Sequence, residues 1–300
     1  MTNLMQKNNI EKLFFQPTSH TEFYSVEITP RIAQRLLDMT DKKVQRKLKR
    51  SHVLVLSDDM KNGYFINNNG DTIRQDTEGN IIDGQHRLSA CVEANYTLKT
   101  IFVKGLQTDT IKTIDIGQKT RTLTDVLEIN HRTSYKYANT VTATVQFVHR
   151  FYLNIYSKGQ ESQRRGRMST SQFLKWVDKN PNIVDFVAQT MTIVSNGDKL
   201  IQASAFCGLK WVLDKYNKPE SDKFFQMLSD GIGLHKGSPV FVLRKRLMAN
   251  KFDHEKRARF TRRELVLSVI KTWNCYLENI DVKKLFIPKT MPKIKSIKKL

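Results

Sequence analysis

Hydrophobic positions along this chain change their spacing near residue 131. Before that point, short alternating or β-branched runs are mixed with helical segments; after it, the spacing is helical. Phe23 to Ile28 alternates as a short strand. Thr29 then caps a helix with Pro30 at its first position and Ile32, Leu36 and Met39 on its apolar face. Val53-Leu54-Val55-Leu56 fits a strand or a buried helix equally well by period alone. Asn67-Asn68-Asn69-Gly70 and Glu78-Gly79-Asn80 are turn signals around short strands, a small twisted sheet between Tyr64 and Asp83. Ile81-Ile82 then runs into Asp83-Gly84. A helical segment with Leu88, Cys91 and Val92 on one side follows, and then a strand over 100–105. Asp109 to Ile114 reads as a short helix and Asp115 to Lys119 as a loop. Thr122 opens a further helix with Asp125 in the capping-box position.

In the second half, Tyr137, Val141, Val145, Val148 and Tyr152 form one stripe of a long helix. A polar loop, Lys158 to Arg167, should be mobile. Ser169 with Gln172 predicts a capping box, and Asn180-Pro181 a cap with a first-turn proline. Helices are expected over 199–216, 220–230 and 238–250. Another capping box, Thr261 with Glu264, precedes Leu265, Val269, Ile270 and Trp273. Residues 1–20 read as a loosely held arm around Leu13-Phe14-Phe15, and 283–300 as an extended basic tail. The fold class is α+β, with a mixed domain over 21–130 and a mostly helical one over 131–282.

Composition narrows the function classes. The chain has 300 residues, enough for one large or two smaller cores, and 39% hydrophobic residues, as expected of a globular fold. Fifty basic against 29 acidic residues give a net charge of +21, which favours a polyanionic partner, nucleic acid first. Cys91, Cys207 and Cys275 show no CxxC spacing, so neither a disulfide framework nor a zinc site is expected. No signal-peptide core or membrane-length apolar run stands out. A cytoplasmic protein with no membrane partner is therefore expected, and a homo-oligomer is compatible with the pattern.

The stretch with the most chemistry is Ile81-Ile82-Asp83-Gly84-Gln85-His86-Arg87-Leu88-Ser89-Ala90. Strand, glycine turn and helix put backbone N–H groups at a helix N-terminus, where a glycine lets a ligand approach. Arg87 offers a bidentate fork to a phosphate and His86 a further donor. Arginine there opposes the helix dipole, an exception that a bound anion would explain. The plainer alternative is an ordinary turn whose Arg87 pairs with a carboxylate. Asp83 has two readings as well: a helix cap, or a metal-binding or base residue.

The stretch resembles the ParB/sulfiredoxin superfamily, in particular phage and mobile-element members with an Asp-Gly-Gln-His-Arg signature. The resemblance runs from about Val26 to about Leu127. It takes in Ile28-Thr29-Pro30, Asp59-Met60-Lys61-Asn62-Gly63, the signature, Lys104-Gly105-Leu106, and Asp115-Ile116-Gly117 followed by Arg121-Thr122. It implies a ParB/sulfiredoxin-like domain, and a helix at Val53–Leu56 that ends near Gly63. It also implies a nucleoside triphosphate, CTP or ATP with Mg²⁺, lined by Gly84, Gln85, His86 and Arg87. The reactive cysteine of sulfiredoxin is Gln85 here, so sulfinic-acid reduction is not expected.

Asp115, Lys119 and Arg121 form the next cluster. They either close over the nucleotide or are a capped loop with two solvated cations. Lys42, Lys43, Arg46, Lys47, Lys49 and Arg50 make either a DNA-facing helix or a solvated charged face. Asp58 and Asp59 could supply a metal carboxylate, but before Met60-Lys61-Asn62-Gly63 they read rather as a solvated helix end. The densest cationic helical surface is Arg244, Lys245 and Arg246 through Arg257, Arg259, Arg262 and Arg263, suited to a nucleic-acid backbone. The expectation is a DNA-associated, ParB-like nucleotide-binding protein in which slow hydrolysis serves gating. In a phage-encoded protein the setting would be the host cytoplasm. The alternatives are a phosphoryl- or pyrophosphoryl-transfer enzyme using Asp83 or Asp115, kinase-like or acting in DNA base hypermodification, and a ParB-like nuclease or DNA-binding regulator.

Overall fold

A computed structural model describes residues 13–41, 47–112, 121–131, 135–157, 166–252 and 260–296. The chain divides into two compact units, Met1–Thr120 and Arg121–Leu300. The structure is mixed α+β, with one small sheet in the first unit and helices in the second.

The sheet of the first unit has strands β1 (Glu22–Ile28), β2 (Thr72–Asp76), β3 (Ile81–Asp83) and β4 (Leu98–Leu106), in the order β1-β4-β2-β3. β1 runs antiparallel to β4, pairing Glu22 with Lys104 and Ile28 with Leu98. β2 is parallel to β4, and β3 returns antiparallel to β2 with a register shift between Arg74 and Gln75. A parallel β2–β4 pair requires a long crossover, and β3 with the following helix supplies it. The α-helices α1 (Pro30–Met39), α2 (Arg50–Lys61) and α3 (Gln85–Ala94) belong to this unit. Their Leu36, Val53, Leu88 and Cys91 share one core with Ile28, Ile73 and Phe102 of the sheet. Thr29 caps α1 by accepting the Ile32 N–H at 3.3 Å. Met39, assigned to the buried face, is 49% exposed at the last position of α1.

The expected loose arm is fastened from Leu13 onward. Phe14 is fully buried, its ring edge-on to Phe102 at 5.0 Å. Gln75 donates to the Phe14 carbonyl at 3.1 Å, and the buried Lys104 ammonium donates to the carbonyls of Leu13 and Gln16 at 2.8 Å each. Three backbone acceptors thereby gain donors, which is what allows a polar segment to sit on an apolar core. Asp59 is also corrected: it is buried, and its carbonyl accepts from Tyr64 and Phe65.

The second unit comprises α4 (Leu123–His131), α5 (Ala138–Tyr152), α6 (Thr170–Lys179), α7 (Ile183–Asn196), α8 (Ala203–Asp230), α9 (Pro239–Phe252) and α10 (Arg262–Leu277). The capping boxes of Ser169 with Gln172 and Thr261 with Glu264 both form, and Thr122 and Asp125 make the equivalent exchange. α8 breaks at Asn217, which leaves the helical conformation. Its side chain accepts the Glu220 N–H at 3.2 Å, restarting the helix with Pro219 in its first turn. The first segment begins at Ala203, later than expected. Asn180 ends α6 and does not open α7, whose cap position is Asn182. Of the α5 stripe, Val141, Val145 and Val148 are buried, whereas Tyr152 is half exposed.

Candidate functional site

Gly84 holds the turn between β3 and α3 with φ +98°, a conformation that favours glycine. The space its missing Cβ leaves belongs to Ile73: an added Cβ would stand 2.3 Å from Ile73 Cδ1 and 3.4 Å from its Cα. The glycine therefore admits strand β2, where the sequence suggested an approaching ligand.

Asp83 does not cap the helix. Its Oδ1 accepts the Gly84 N–H at 2.7 Å, and its Oδ2 lies 3.5 Å from Arg87 Nη2. Arg87 follows the plainer of its two readings. Its side chain is 15% exposed, Nη2 donates to the Thr72 carbonyl at 2.6 Å, and Nη1 lies 4.0 Å from Asp71. The guanidinium thus ties the start of β2 to the end of β3 and the first turn of α3.

What remains at the head of α3 is a junction of two helix N-termini. His86 Nε2 accepts the backbone N–H of Lys49 at 3.1 Å, which places the proton of the neutral ring on Nδ1. Lys49 is the residue before α2, and His52, in that helix's first turn, stands edge-on to His86 with ring centroids 5.1 Å apart. Neither α2 nor α3 has an acidic residue in its first turn or a side chain capping its N-terminus. Two positive dipole ends, the exposed Lys49 and two imidazoles thus converge, an arrangement that favours an anion. Arg50 is partly neutralised by Glu93 at 2.7 Å. The sequence flagged His86 but not Lys49 or His52 as its neighbours; the histidine pair, 34 residues apart, had no spacing to reveal it.

Burial pushes the Cys91 thiol of α3 up to about 11, and its Sγ lies 2.7 Å from the Tyr96 carbonyl, so it is a core residue and a poor nucleophile. Among the described residues no group of three or more His, Cys, Asp or Glu could hold a metal ion. Asp115 and Lys119 lie outside the described residues, and Arg121 is exposed at the head of α4.

In the second unit the expected cationic surface is largely committed internally. Arg244 is 6% exposed; its guanidinium donates to the Leu228 carbonyl at 2.5 Å and pairs with Asp198. It is an interior residue and leaves the DNA-facing set. Arg246 donates to the Leu285 carbonyl at 2.8 Å, Arg263 to the Lys289 carbonyl, and Arg262 to Gln202. Lys245 is exposed. Arg257 and Arg259 lie outside the described residues. No described helix is long and apolar enough to cross a membrane. No family model, no curated protein and no solved structure matches this chain.

Proposed function

We propose that the first unit is a ParB/sulfiredoxin-like domain that binds the phosphates of a nucleotide where the N-termini of α2 and α3 meet, and that the protein works in association with DNA. The observation that carries this reading is the junction itself. Two helices whose first turns hold no acidic residue bring their N-termini to one place, with Lys49, His52 and His86 around it. The strand, glycine turn, helix and strand sequence around Gly84, with β2 and β4 parallel, supports the domain assignment. Backbone N–H groups and His86 are the phosphate donors, while Arg87 shapes the turn from behind. The geometry addresses phosphates more than a base, so CTP and ATP both fit. Mg²⁺ would arrive on the phosphates, which carry the oxygens it prefers. Binding is favoured over phosphoryl transfer because the Asp83 carboxylate already accepts the Gly84 N–H and faces Arg87. The +21 charge supports the DNA association.

The test is binding of labelled CTP, ATP, GTP and ADP with Mg²⁺ to the wild type, Lys49→Glu and His86→Ala, each checked for an unchanged melting curve. Each substitution should weaken the best nucleotide roughly tenfold, equivalent to ~1.4 kcal/mol. A folded wild type that binds none of the four refutes the proposal.

A further inference from the structure

Up to residue 296 the basic tail is fastened. Residues 282–296 run as an extended strap along the second unit, held by side chains that donate to its backbone. Arg246 bonds the Leu285 carbonyl, Arg263 that of Lys289, Asn274 that of Lys293 at 2.8 Å, and Trp273 Nε1 that of Lys295 at 3.0 Å. Asn274 Oδ1 accepts the Lys295 N–H in return at 2.9 Å. Leu285 is buried, and Met291 and Ile294 pack on the same core, so these three apolar residues anchor the strap. The lysines point outward: Lys283, Lys284, Lys289 and Lys293 are all exposed. From Val282 to Leu300 there are seven lysines and no acidic residue. Among the described strap lysines, Lys295 forms an ion pair with Glu278. Between the lysines Phe286 is 64% exposed, its ring centroid 5.5 Å from Lys284 Nζ and 6.0 Å from Lys271 Nζ.

We propose that this strap is a docking rail for single-stranded nucleic acid, with Phe286 stacking one base and the outward lysines neutralising phosphates. Charge complementarity selects a polyanion, and the exposed ring selects an unpaired base. The bases of a duplex are stacked on one another and offer no free face to an exposed phenyl ring, whereas single strands are bound on such aromatic platforms between cations. Fastening the backbone to α9 and α10 holds the lysines in place before the ligand arrives, which lowers the ordering cost of binding. The inference rests on the DNA association proposed above and names its surface; it does not depend on the nucleotide site.

The experiment is fluorescence anisotropy of the full chain with labelled oligothymidylate about 15 nucleotides long and a duplex of equal length, across about 50 to about 200 mM salt. Four lysines predict a log–log salt slope of about −3 on the single strand, and Lys289→Gln with Lys293→Gln should reduce its magnitude by about 1.4. Phe286→Ala should weaken the single strand roughly tenfold and leave the slope in place. All three side chains are exposed, so the melting curves should not move. If the wild type binds nucleic acid but these variants bind identically, the rail is wrong and the DNA association stands. Tighter duplex binding that ignores Phe286→Ala also overturns it. No binding to either probe removes both the rail and the DNA association, whatever the nucleotide site does.

Discussion

Gly84→Ala separates two reasons for a glycine at this turn. If the glycine makes room for a ligand, alanine should spare stability and damage nucleotide binding. The structure predicts the reverse order of effects. Placing a non-glycine residue at φ +98° costs about 1–2 kcal/mol. A Cβ 2.3 Å from Ile73 Cδ1 forces that side chain or strand β2 to shift, adding about 1–3 kcal/mol. The sum, about 2–5 kcal/mol, falls on the first unit. All three tryptophans, Trp176, Trp211 and Trp273, lie in the second unit, so tryptophan fluorescence is not a direct probe of the first. Hydrogen exchange of peptides spanning β3 and α3 reads the effect instead, as faster exchange by roughly 30-fold or more at the lower end of that range.

The two contributions can be told apart. Ile73→Val removes Cδ1, the nearest atom, at about 0.5–1.5 kcal/mol by itself. In the double variant the steric part should vanish while the backbone part remains, so the two effects should fall short of adding by about 1–3 kcal/mol. Strict additivity refutes the steric reasoning. Unchanged exchange in Gly84→Ala alone refutes all of it and returns the glycine to a ligand role.

Arg244→Ala should destabilise the second unit by about 2–4 kcal/mol in urea, since it strips the donor from the Leu228 carbonyl and the partner from a half-exposed Asp198, while the affinity for either nucleic-acid probe stays at the wild-type value. The Glu220 carboxyl is held below its ordinary value by Lys223 at 2.9 Å and by the Tyr276 hydroxyl at 2.7 Å. A carboxyl depressed in the folded state contributes stability above its unfolded value near 4.5, and that contribution fades as pH falls through the folded value. Glu220→Gln should therefore lower the urea midpoint at pH 7 and converge with the wild type in acid. A gap that persists or widens at low pH reverses the sign and defeats the assignment.

What the sequence disclosed was local. The caps at Thr29, Ser169 and Thr261 and the break at Asn217-Lys218-Pro219 depend on residues within one turn, so neighbouring letters sufficed to place them. The arm around Phe14 is the opposite case. Its fasteners, Gln75 and Lys104, lie 61 and 88–91 residues away, and a three-residue apolar patch has no period to betray its burial. The arginines of α9 and α10 show the same limit for charge. A dense cationic stretch reads as a surface for an external anion, yet three of these guanidiniums satisfy backbone carbonyls of their own chain, and carbonyls are invisible in a string of side chains.

Arg87 combines both limits. A cation in the first turn of a helix opposes the dipole, and an anion nearby is a sound explanation of that exception. The side chain is long enough, however, to leave the helix end and find an acceptor elsewhere. It reaches the Thr72 carbonyl, 15 residues earlier and made a neighbour only by the pairing of β2 with β3. The anion argument then moves from the arginine to the backbone N–H groups of the helix end. There it is supported by a second uncapped helix end, whose arrival beside His86 no local rule in the sequence announced.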